Sequence, residues 1–349
     1  MDNVRSQAAP VEGHRSLEEI HGSISVPDHK AGFWRHYRAF VGPAFLVSVG
    51  YMDPGNWGTD LEAGARFRYE LLWVVALSSL MAIIMQVIAA RLGVVTGKDL
   101  AQACRDFYWG WTRWPLWLAC EVAIMACDLA EVLGSAVAIN LLFHIPLFWA
   151  VLITAFDVLL LLSLQSKGMR FIEAFILVLV LTIGSCYFIE LFVLPKITPS
   201  FGEIGSAMAR PGFTNPRTGG FDLSMVYVAI GIVGATVMPH NLYLHSALVQ
   251  SRQLQKDGRS VRRAILFNTI DSAAALTIAF FVNAAILVLA ATVFFGKESM
   301  TLEPQKPLDA GEYAVVLHPL NKKKKGSLGG GSFYSIWDLS VPGQPRTPR

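Results

Sequence analysis

An apolar stretch from about Phe40 to Ala65 is interrupted in its middle by the tetrapeptide Asp-Pro-Gly-Asn at 53–56. Lipid offers no water to a carboxylate, a carboxamide or a backbone group freed by proline, so such residues at bilayer depth belong where protein encloses them. A second apolar stretch is interrupted by Met-Pro-His-Asn at 238–241. The sequence therefore predicts two broken helices that line one buried site.

Composition places the chain in a membrane. Of its 349 residues, 53% are hydrophobic and only 16% are charged, which is unusual for a soluble protein. A helix needs roughly 20 apolar residues to cross a bilayer. The sequence thus predicts an all-α polytopic membrane protein, with the lipid bilayer as its environment. The candidate spans are about 40–65, 71–93, 115–142, 147–164, 171–194, 223–250 and 264–295.

The distribution of positive charge predicts the orientation of the spans. Residues 1–38 are polar, carry five Lys and Arg residues and lack the pattern of a cleavable signal sequence, so we expect a flexible cytoplasmic tail. With that orientation, the cytoplasmic segments up to the last span hold 16 Lys and Arg residues and the external ones hold 5. This excess follows the positive-inside rule for a bacterial inner membrane or a plasma membrane. The net charge of +3 then reflects orientation, and we expect no nucleic-acid partner.

The two interruptions occupy matching places in two halves of the chain. The first half, 39–194, holds five predicted spans, and an external loop at 195–222 precedes the second half, 223–295, which holds two. This arrangement is typical of an inverted repeat whose discontinuous helices meet near the bilayer midplane. We expect the second repeat to be incomplete. The segment 296–349, with four lysines at 322–325, is expected to be a non-membrane and aberrant tail of a truncated chain.

The first interruption offers oxygen ligands and the second offers sulfur. Asp53 and Asn56 are three residues apart and would face one way on a helical turn, while the proline and glycine between them favour an unwound backbone with free carbonyls. Met238 would add a thioether. This mixture suits Mn²⁺ or Fe²⁺ better than Ca²⁺ or Mg²⁺, which prefer oxygen alone.

Titratable residues near the interruptions suggest a proton pathway. His240 could handle protons or could form structural hydrogen bonds to freed carbonyls. Asp128 and Glu131 lie at i and i+3 in the third span with Glu121 two turns earlier, which indicates a wet pathway or structural bonds to neighbouring helices. Glu173 and Asp271 are interpreted as polar residues that join helices. The four cysteines, including Cys127, lack disulfide or zinc spacing and are predicted to be small buried residues.

Three segments together resemble the NRAMP family of proton-coupled divalent metal transporters. They are the segment from Gly42 through the Asp-Pro-Gly-Asn interruption, the Asp-Leu-Ala-Glu segment at 128–131, and the segment 234–241 that contains Met-Pro-His-Asn. The resemblance implies a LeuT-like helical bundle with discontinuous first and sixth helices. It further implies a role for each site residue. The metal ligands would be the side chains of Asp53, Asn56 and Met238 and the carbonyls of Gly50 and Ala235, and the coupled proton would be carried by Asp53, His240, Asp128 and Glu131.

The function expected from these residues is proton-coupled import of Mn²⁺ or Fe²⁺ by alternating access. No cofactor is expected beyond the transported metal ion and H⁺. An enzyme is not expected, because the sequence lacks HExxH, nucleophile-elbow and P-loop motifs. Two alternatives remain open. One is a transport-inactive product that binds metal or associates with intact subunits, and the other is a LeuT-type symporter for an organic solute.

Overall fold

Helices account for nearly all of the regular structure. The computed structural model describes residues 17, 21–27, 32–156, 159, 169–193, 199–254, 257–295, 300–302 and 317–319. Within these ranges the α-helices are α1 Phe33–Phe40, α2 Pro43–Ser48, α3 Pro54–Phe67, α4 Leu72–Thr96, α5 Leu100–Phe107, α6 Arg113–Phe143, α7 Leu147–Thr154, α8 Met169–Phe192, α9 Phe201–Ala209, α10 Leu223–Thr236, α11 Pro239–Leu248 and α12 Gly258–Val293. Short 3₁₀ turns cover Val49–Met52, Gly110–Thr112 and Val249–Ser251.

Among the described residues, five helical segments are long and apolar enough to cross a bilayer, so the predicted all-α membrane architecture is confirmed. They are Leu72–Thr96, Gly110–Phe143, Phe171–Phe192, Leu223–Ser251 and Gly258–Val293. Each corresponds to one of the seven predicted spans. The first predicted span is divided between α2 and α3, and the second half of the fourth lies outside the described residues. The inverted repeat remains a prediction.

The first break in the helices forms at Asp53. The 3₁₀ turn that follows α2 ends at Met52, Asp53 is extended with φ −75° and ψ 167°, and α3 begins at Pro54. Proline suits the first helical position, where its missing N–H would have no intrahelical partner. The Asp53 carboxylate caps α3 by accepting a hydrogen bond from the Asn56 backbone N–H. The local sequence therefore both ends one helix and starts the next.

The second break in the helices forms at Met238. Helix α10 ends at Thr236, the next two residues have ψ values of 87° and 112°, and α11 begins at Pro239. The proline again lies at the first helical position, because it cannot continue the hydrogen-bond pattern of the preceding helix. Both interruptions predicted from the sequence are thus breaks between consecutive helices.

Helix α12 lies at the centre of the bundle and α6 lies at its edge. Helix α12 packs against α2, α3, α4 and α8. In its most apolar 18-residue window 56% of the residues are buried, against 6% in the segment that contains α6 and 11% in the segment that contains α8. Close packing of α12 on α3 needs Gly64, because a Cβ atom there would collide with the Leu287 carbonyl. Helix α3 of the first break therefore packs against the most buried of the described membrane-spanning helices.

A buried arginine holds the end of α1 and the link that leads into α2. The Arg252 guanidinium donates hydrogen bonds to the carbonyls of Ala39, Phe40 and Val41 at 3.1, 3.3 and 3.0 Å and forms an ion pair with Glu173 at 3.0 Å. Neither side chain of the ion pair is more than 5% exposed. Glu173 therefore joins α8 to this network, in line with its predicted role in holding helices together.

A second carboxylate holds the start of α2. Asp271 of α12 accepts hydrogen bonds from the backbone N–H groups of Gly42 and Ala44 at 3.4 and 3.0 Å. Gly42 has φ +140°, a value that L side chains rarely adopt, and a Cβ atom there would collide with the Glu173 carboxyl group. The conformation of Gly42 and the hydrogen bonds to Asp271 together set the turn of the backbone into α2. Asp271 therefore joins α12 to α2, in line with its predicted role.

Part of the segment expected to be a flexible tail is ordered. Residues 24–25 form strand β1, which pairs in parallel with β2 at Arg252–Gln253, in the register Ile24 to Arg252 and Ser25 to Gln253. The Gly22 N–H donates to the Gln250 carbonyl at 3.0 Å. Helix α1 follows at Phe33–Phe40. Residues 1–16, 18–20 and 28–31 lie outside the described ranges.

The external loop predicted at 195–222 also contains a helix, α9. The loop ends at Asp222, whose side chain accepts a hydrogen bond from the Ser224 N–H and caps α10. Hydrogen bonds from the side chains of Ser224 and Asn215 hold the pKa of Asp222 below its usual value. The loop therefore ends in a hydrogen-bonded cap that positions the second broken helix.

Little of the predicted C-terminal tail is described. Strands β3 at Met300–Leu302 and β4 at Leu317–Pro319 form an antiparallel pair in which Met300 lies opposite Pro319. The lysines at 322–325 lie outside the described residues. The nature of this segment therefore stays a prediction.

Candidate functional site

Asp53 and Asn56 form the polar centre of the first break. Asp53 Oδ1 accepts hydrogen bonds from the Asn56 backbone N–H at 2.8 Å and from Asn56 Nδ2 at 2.7 Å. The two residues are 8% and 1% exposed. The positive end of the α3 dipole favours negative charge at this position. A carboxylate is thereby held inside the apolar bundle in a fixed orientation.

Asn56 connects the first break to the second. Its Nδ2 donates a hydrogen bond to the Ala235 carbonyl at 3.1 Å, and its Oδ1 accepts one from the Thr236 hydroxyl at 3.1 Å. Ala235 and Thr236 are the last two residues of α10. Asp53, Asn56 and the Ala235 carbonyl, which the resemblance assigned to the metal, are therefore neighbours. Thr236 was missed, because a threonine in an apolar helix gives no signal of its own.

Gly50 and Met238 meet through Asn241. The Asn241 side-chain amide donates to Met238 Sδ at 3.5 Å. The same Asn241 nitrogen lies 2.5 Å from the position that a Cβ atom on Gly50 would occupy. Gly50 therefore gives Asn241 the room to reach the thioether of Met238, which is only 4% exposed. A side chain at position 50 would require this amide to move.

Cys127 is a further residue at the site that the sequence did not assign to it. Its thiol donates to Asp53 Oδ2 at 3.5 Å and lies 3.9 Å from Glu131 Oε1. Cys127 is partly exposed and packs against the apolar cluster that contains Met52 and Met238. It was predicted to be a small buried residue, and the missed signal was its position one turn before Glu131. The thiol therefore bridges the two carboxylates.

Helix α6 approaches the first break over a glycine. A Cβ atom on Gly134 would collide with the ring of Pro54. Cys127, Glu131 and Gly134 lie at i, i+4 and i+7 and so share one face of α6. The absence of a side chain at Gly134 sets the distance at which the other two residues meet Asp53.

The predicted proton-pathway residues are partly brought together. His240 Nδ1 is buried and lacks a hydrogen-bond partner in the described part of the chain. The charges of Asp128 and Asp53 both act on the His240 imidazole. Glu131 reaches Asp53 through Cys127, while Asp128 and Glu131 are themselves exposed on α6. Glu121 is half-buried and lies about 10 Å from Asp128 along α6, as the helical rise requires over seven residues.

A second carboxylate on α3 was missed by the sequence analysis. Asp60 follows Asp53 by seven residues, which places both on one face of the chain, and it is 1% exposed. Its Oδ2 has no hydrogen-bond partner within the described ranges, and it interacts electrostatically with Asp53. The seven-residue spacing was the available signal. Asp60 places a further acidic group two turns along α3.

Three polar residues connect the first broken helix to α4 and α11. Gln86 Nε2 donates to the Tyr51 hydroxyl at 2.9 Å, and Gln86 Oε1 lies 2.8 Å from His245 Nδ1. Tyr51 and His245 are at most 2% exposed. Because buried polar groups require partners, this network fixes the backbone immediately before Asp53.

The donors at the site are chemically mixed. Among the residues that the structure describes, no cluster of three or more His, Cys, Asp or Glu side chains forms a metal site. The donors gathered at the breaks include the Asp53 carboxylate, the Asn56 carboxamide, the Ala235 carbonyl and the Met238 thioether, with the Cys127 thiol adjacent. Such a set suits a divalent transition ion that accepts both oxygen and sulfur.

The position of Cys127 leads to a test with a thiol reagent. Methyl methanethiosulfonate converts the Cys127 thiol to a methyl disulfide and releases methanesulfinate. The added methylthio group lies against Asp53, so with Mn²⁺ as the probe ion we expect binding to fall by about tenfold or more. Cys127→Ser should remove this sensitivity. The measurement is Mn²⁺ binding to the purified protein before and after treatment. Cys186→Ser, at an exposed position on α8, is the matched control and should leave the sensitivity intact. Equal sensitivity of the Cys127→Ser variant and the unmodified sequence would contradict the geometry.

Comparison with known proteins identifies similar sequences and structures. The family described as Nramp, natural resistance-associated macrophage protein-like, matches residues 44–324. The chain is 52% identical over 287 residues to a divalent metal cation transporter MntH of Nostoc sp., covering 82% of this chain and 62% of that protein. It is also 52% identical over 283 residues to MntH of Mesorhizobium japonicum, covering 80% of this chain and 60% of that protein.

A solved structure shows the same arrangement of helices. A mutant of the Eremococcus coleocola manganese transporter superposes with a TM-score of 0.71 at 41% identity, covering 80% of this chain and 56% of that one. The chain thus spans about 60% of the length of the curated relatives that it matches.

Proposed function

The chain belongs to the Nramp family, and on that premise we propose that it binds divalent transition metal ions, Mn²⁺ and Fe²⁺, and imports them with protons by alternating access. The observation that carries the proposal is the junction of the two broken helices. Asn56 connects Asp53 of the first break to Ala235 and Thr236 at the second. A carboxylate inside an apolar membrane bundle is costly, and such residues mark substrate or ion pathways.

The donor set favours Mn²⁺ and Fe²⁺ over alkaline-earth ions. We assign the metal to the side chains of Asp53, Asn56 and Met238 and to the carbonyls of Gly50 and Ala235. The Asp53 carboxylate supplies the negative charge. The Met238 thioether penalises Ca²⁺ and Mg²⁺, which prefer shells made only of oxygen. An organic solute with a carboxylate fits poorly, because Asp53 already occupies the N-terminus of α3 and would repel it.

Charges close to the proposed metal ligands support proton coupling. Asp53, Asp128 and His240 interact electrostatically, and Cys127 lies between Asp53 and Glu131. A divalent cation on Asp53 disfavours a second positive charge on His240, so metal binding and proton occupancy oppose each other. We assign Asp53, His240, Asp128 and Glu131 to proton transfer and place Glu121 further along the same route.

Alternating access would use α2 as the moving element. Asp53 is extended between the 3₁₀ turn and α3, so α2 can tilt without carrying α3 with it. For the site to open towards the side of the N-terminus, two sets of hydrogen bonds must break. They are the bonds that Arg252 donates to the carbonyls of Ala39 and Val41 and the bond that Asp271 accepts from the Ala44 N–H. The excess of Lys and Arg on that side supports a cytoplasmic location for it.

Metal uptake by proteoliposomes tests the proposal. Mn²⁺ uptake should rise when an inward proton gradient is imposed, and this stimulation should be lost in Glu131→Gln and His240→Ala. Matched controls are Glu203→Gln on α9 and His144→Ala at the end of α6, both at exposed positions outside the site. Stimulation that persists in both site variants would overturn the proton assignment while leaving metal binding intact.

Metal binding without transport is the second candidate function. In the described structure Asp128 and Glu131 are exposed on α6, whose most apolar window is only 6% buried. Carboxylates at membrane depth need a protein or water partner, so transport could depend on association with another subunit. Mn²⁺ binding that requires Asp53, combined with no uptake by inserted protein, would favour this alternative.

A further inference from the structure

A cleft opens beside the inner end of the first broken helix, away from the metal ligands. Its volume is about 600 Å³, and it lies between α1, the start of α2 and α8. Its walls include the apolar side chains of Val41, Phe45 and Leu177 and the charged side chains of Arg35 and Arg38. The cleft therefore combines a cationic rim with an apolar wall.

Helix α1 has the pattern of an interfacial helix. His36, Ala39 and Phe40 face the protein and are buried, whereas Phe33 and Trp34 are 53% and 73% exposed. Exposed aromatic side chains next to a membrane span are typical of the boundary between headgroups and acyl chains. The helix thus places the cleft at the height of the lipid headgroups.

The two arginines at the rim are available to a ligand. Arg35 and Arg38 are exposed and lie at i and i+3 on α1, so they project from neighbouring positions. Within the described residues neither guanidinium has an ion-pair or hydrogen-bond partner. Glu173, the one acidic residue of the lining, is already paired with Arg252. Among the described residues, the positive charge of the cleft is consequently not neutralised.

We propose that this cleft binds an anionic phospholipid, with the phosphate on Arg35 and Arg38 and an acyl chain against Phe45 and Leu177. Guanidinium groups form strong hydrogen bonds to phosphate, and the apolar wall matches a hydrocarbon chain rather than a free ion. A bound lipid also contacts Val41 and Gly42, where α2 begins. It therefore lies where α2 would pivot, a consequence that rests on the proposed transport function.

Lipid retention measured by native mass spectrometry tests the site without reference to transport. The full chain is purified with phosphatidylglycerol, and Arg35→Gln/Arg38→Gln is expected to bind it about 25-fold more weakly, since each arginine near an anionic surface contributes about a factor of five. Arg259→Gln/Arg262→Gln is the matched control. It makes the same charge change at the same spacing, at exposed positions on α12. Equal loss in both double variants would overturn the proposal.

Further measurements distinguish a phospholipid headgroup from free inorganic phosphate as the ligand. Phosphatidylcholine should be retained far less than phosphatidylglycerol, and inorganic phosphate should not compete with the lipid. Ala174→Trp fills the cleft without changing charge and should also reduce retention, because Ala174 is an exposed residue of its lining. Displacement by inorganic phosphate, or full retention in Ala174→Trp, would show a surface charge effect and refute a lipid site.

Discussion

Replacing Asp53 with asparagine is expected to weaken Mn²⁺ binding by roughly 100-fold or more, because it removes the only carboxylate among the proposed ligands. Asparagine caps a helix about as well as aspartate, so Asp53→Asn should keep α3 intact while removing the charge. Asp53→Ala removes the cap as well and should add a stability loss of about 1 kcal/mol. Comparing the two variants separates metal ligation from helix capping.

Mn²⁺ affinity measured by titration calorimetry on the purified protein decides the outcome. Asp99→Asn is the matched control, since Asp99 caps α5 through Gln102 in the same way but lies outside the site. It should leave Mn²⁺ affinity unchanged. Unaltered Mn²⁺ affinity in Asp53→Asn would remove Asp53 from the ligand set, and with it the proposed position of the metal.

Arg252→Ala is expected to cost about 3–5 kcal/mol of stability, which is the usual result of removing one partner from a buried ion pair. Glu173 would remain buried without its Arg252 ion pair, and the carbonyls of Ala39, Phe40 and Val41 would lose the hydrogen bonds from Arg252. The measurement is the free energy of unfolding in detergent. Arg262→Ala, at an exposed position on α12, should change stability by less than about 0.5 kcal/mol.

The double variant Arg252→Met/Glu173→Leu tests the cause of this loss. Replacing both partners with apolar side chains removes the buried Glu173 charge together with its Arg252 partner, so we expect it to recover a large part of the stability lost in Arg252→Ala. If the double variant is as unstable as Arg252→Ala, the three backbone carbonyls and not Glu173 account for the effect. Equal stability of Arg252→Ala and Arg262→Ala would contradict the buried network altogether.

The sequence predicted those features that depend on neighbouring residues. Apolar length set five of the described spans, because hydrocarbon thickness fixes the number of residues a helix needs. Proline and its neighbouring carboxylate set the break at Asp53, and Pro239 set the break at Met238, since proline ends one helix and begins another. The sequence alone therefore predicts the membrane class, both breaks and the candidate ligands Asp53, Asn56 and Met238.

Only the tertiary structure decided which distant residues meet. Cys127 reaches Asp53 because Gly134 allows α6 to approach Pro54, and neither residue type signals this in sequence. Ile24 pairs with Arg252 across 228 positions, although its surroundings suggested a flexible tail. Hydropathy and local chemistry fix where helices begin and end, but the rotation of each helix about its axis is set by packing against partners remote in sequence. That rotation decides which side chains face the site.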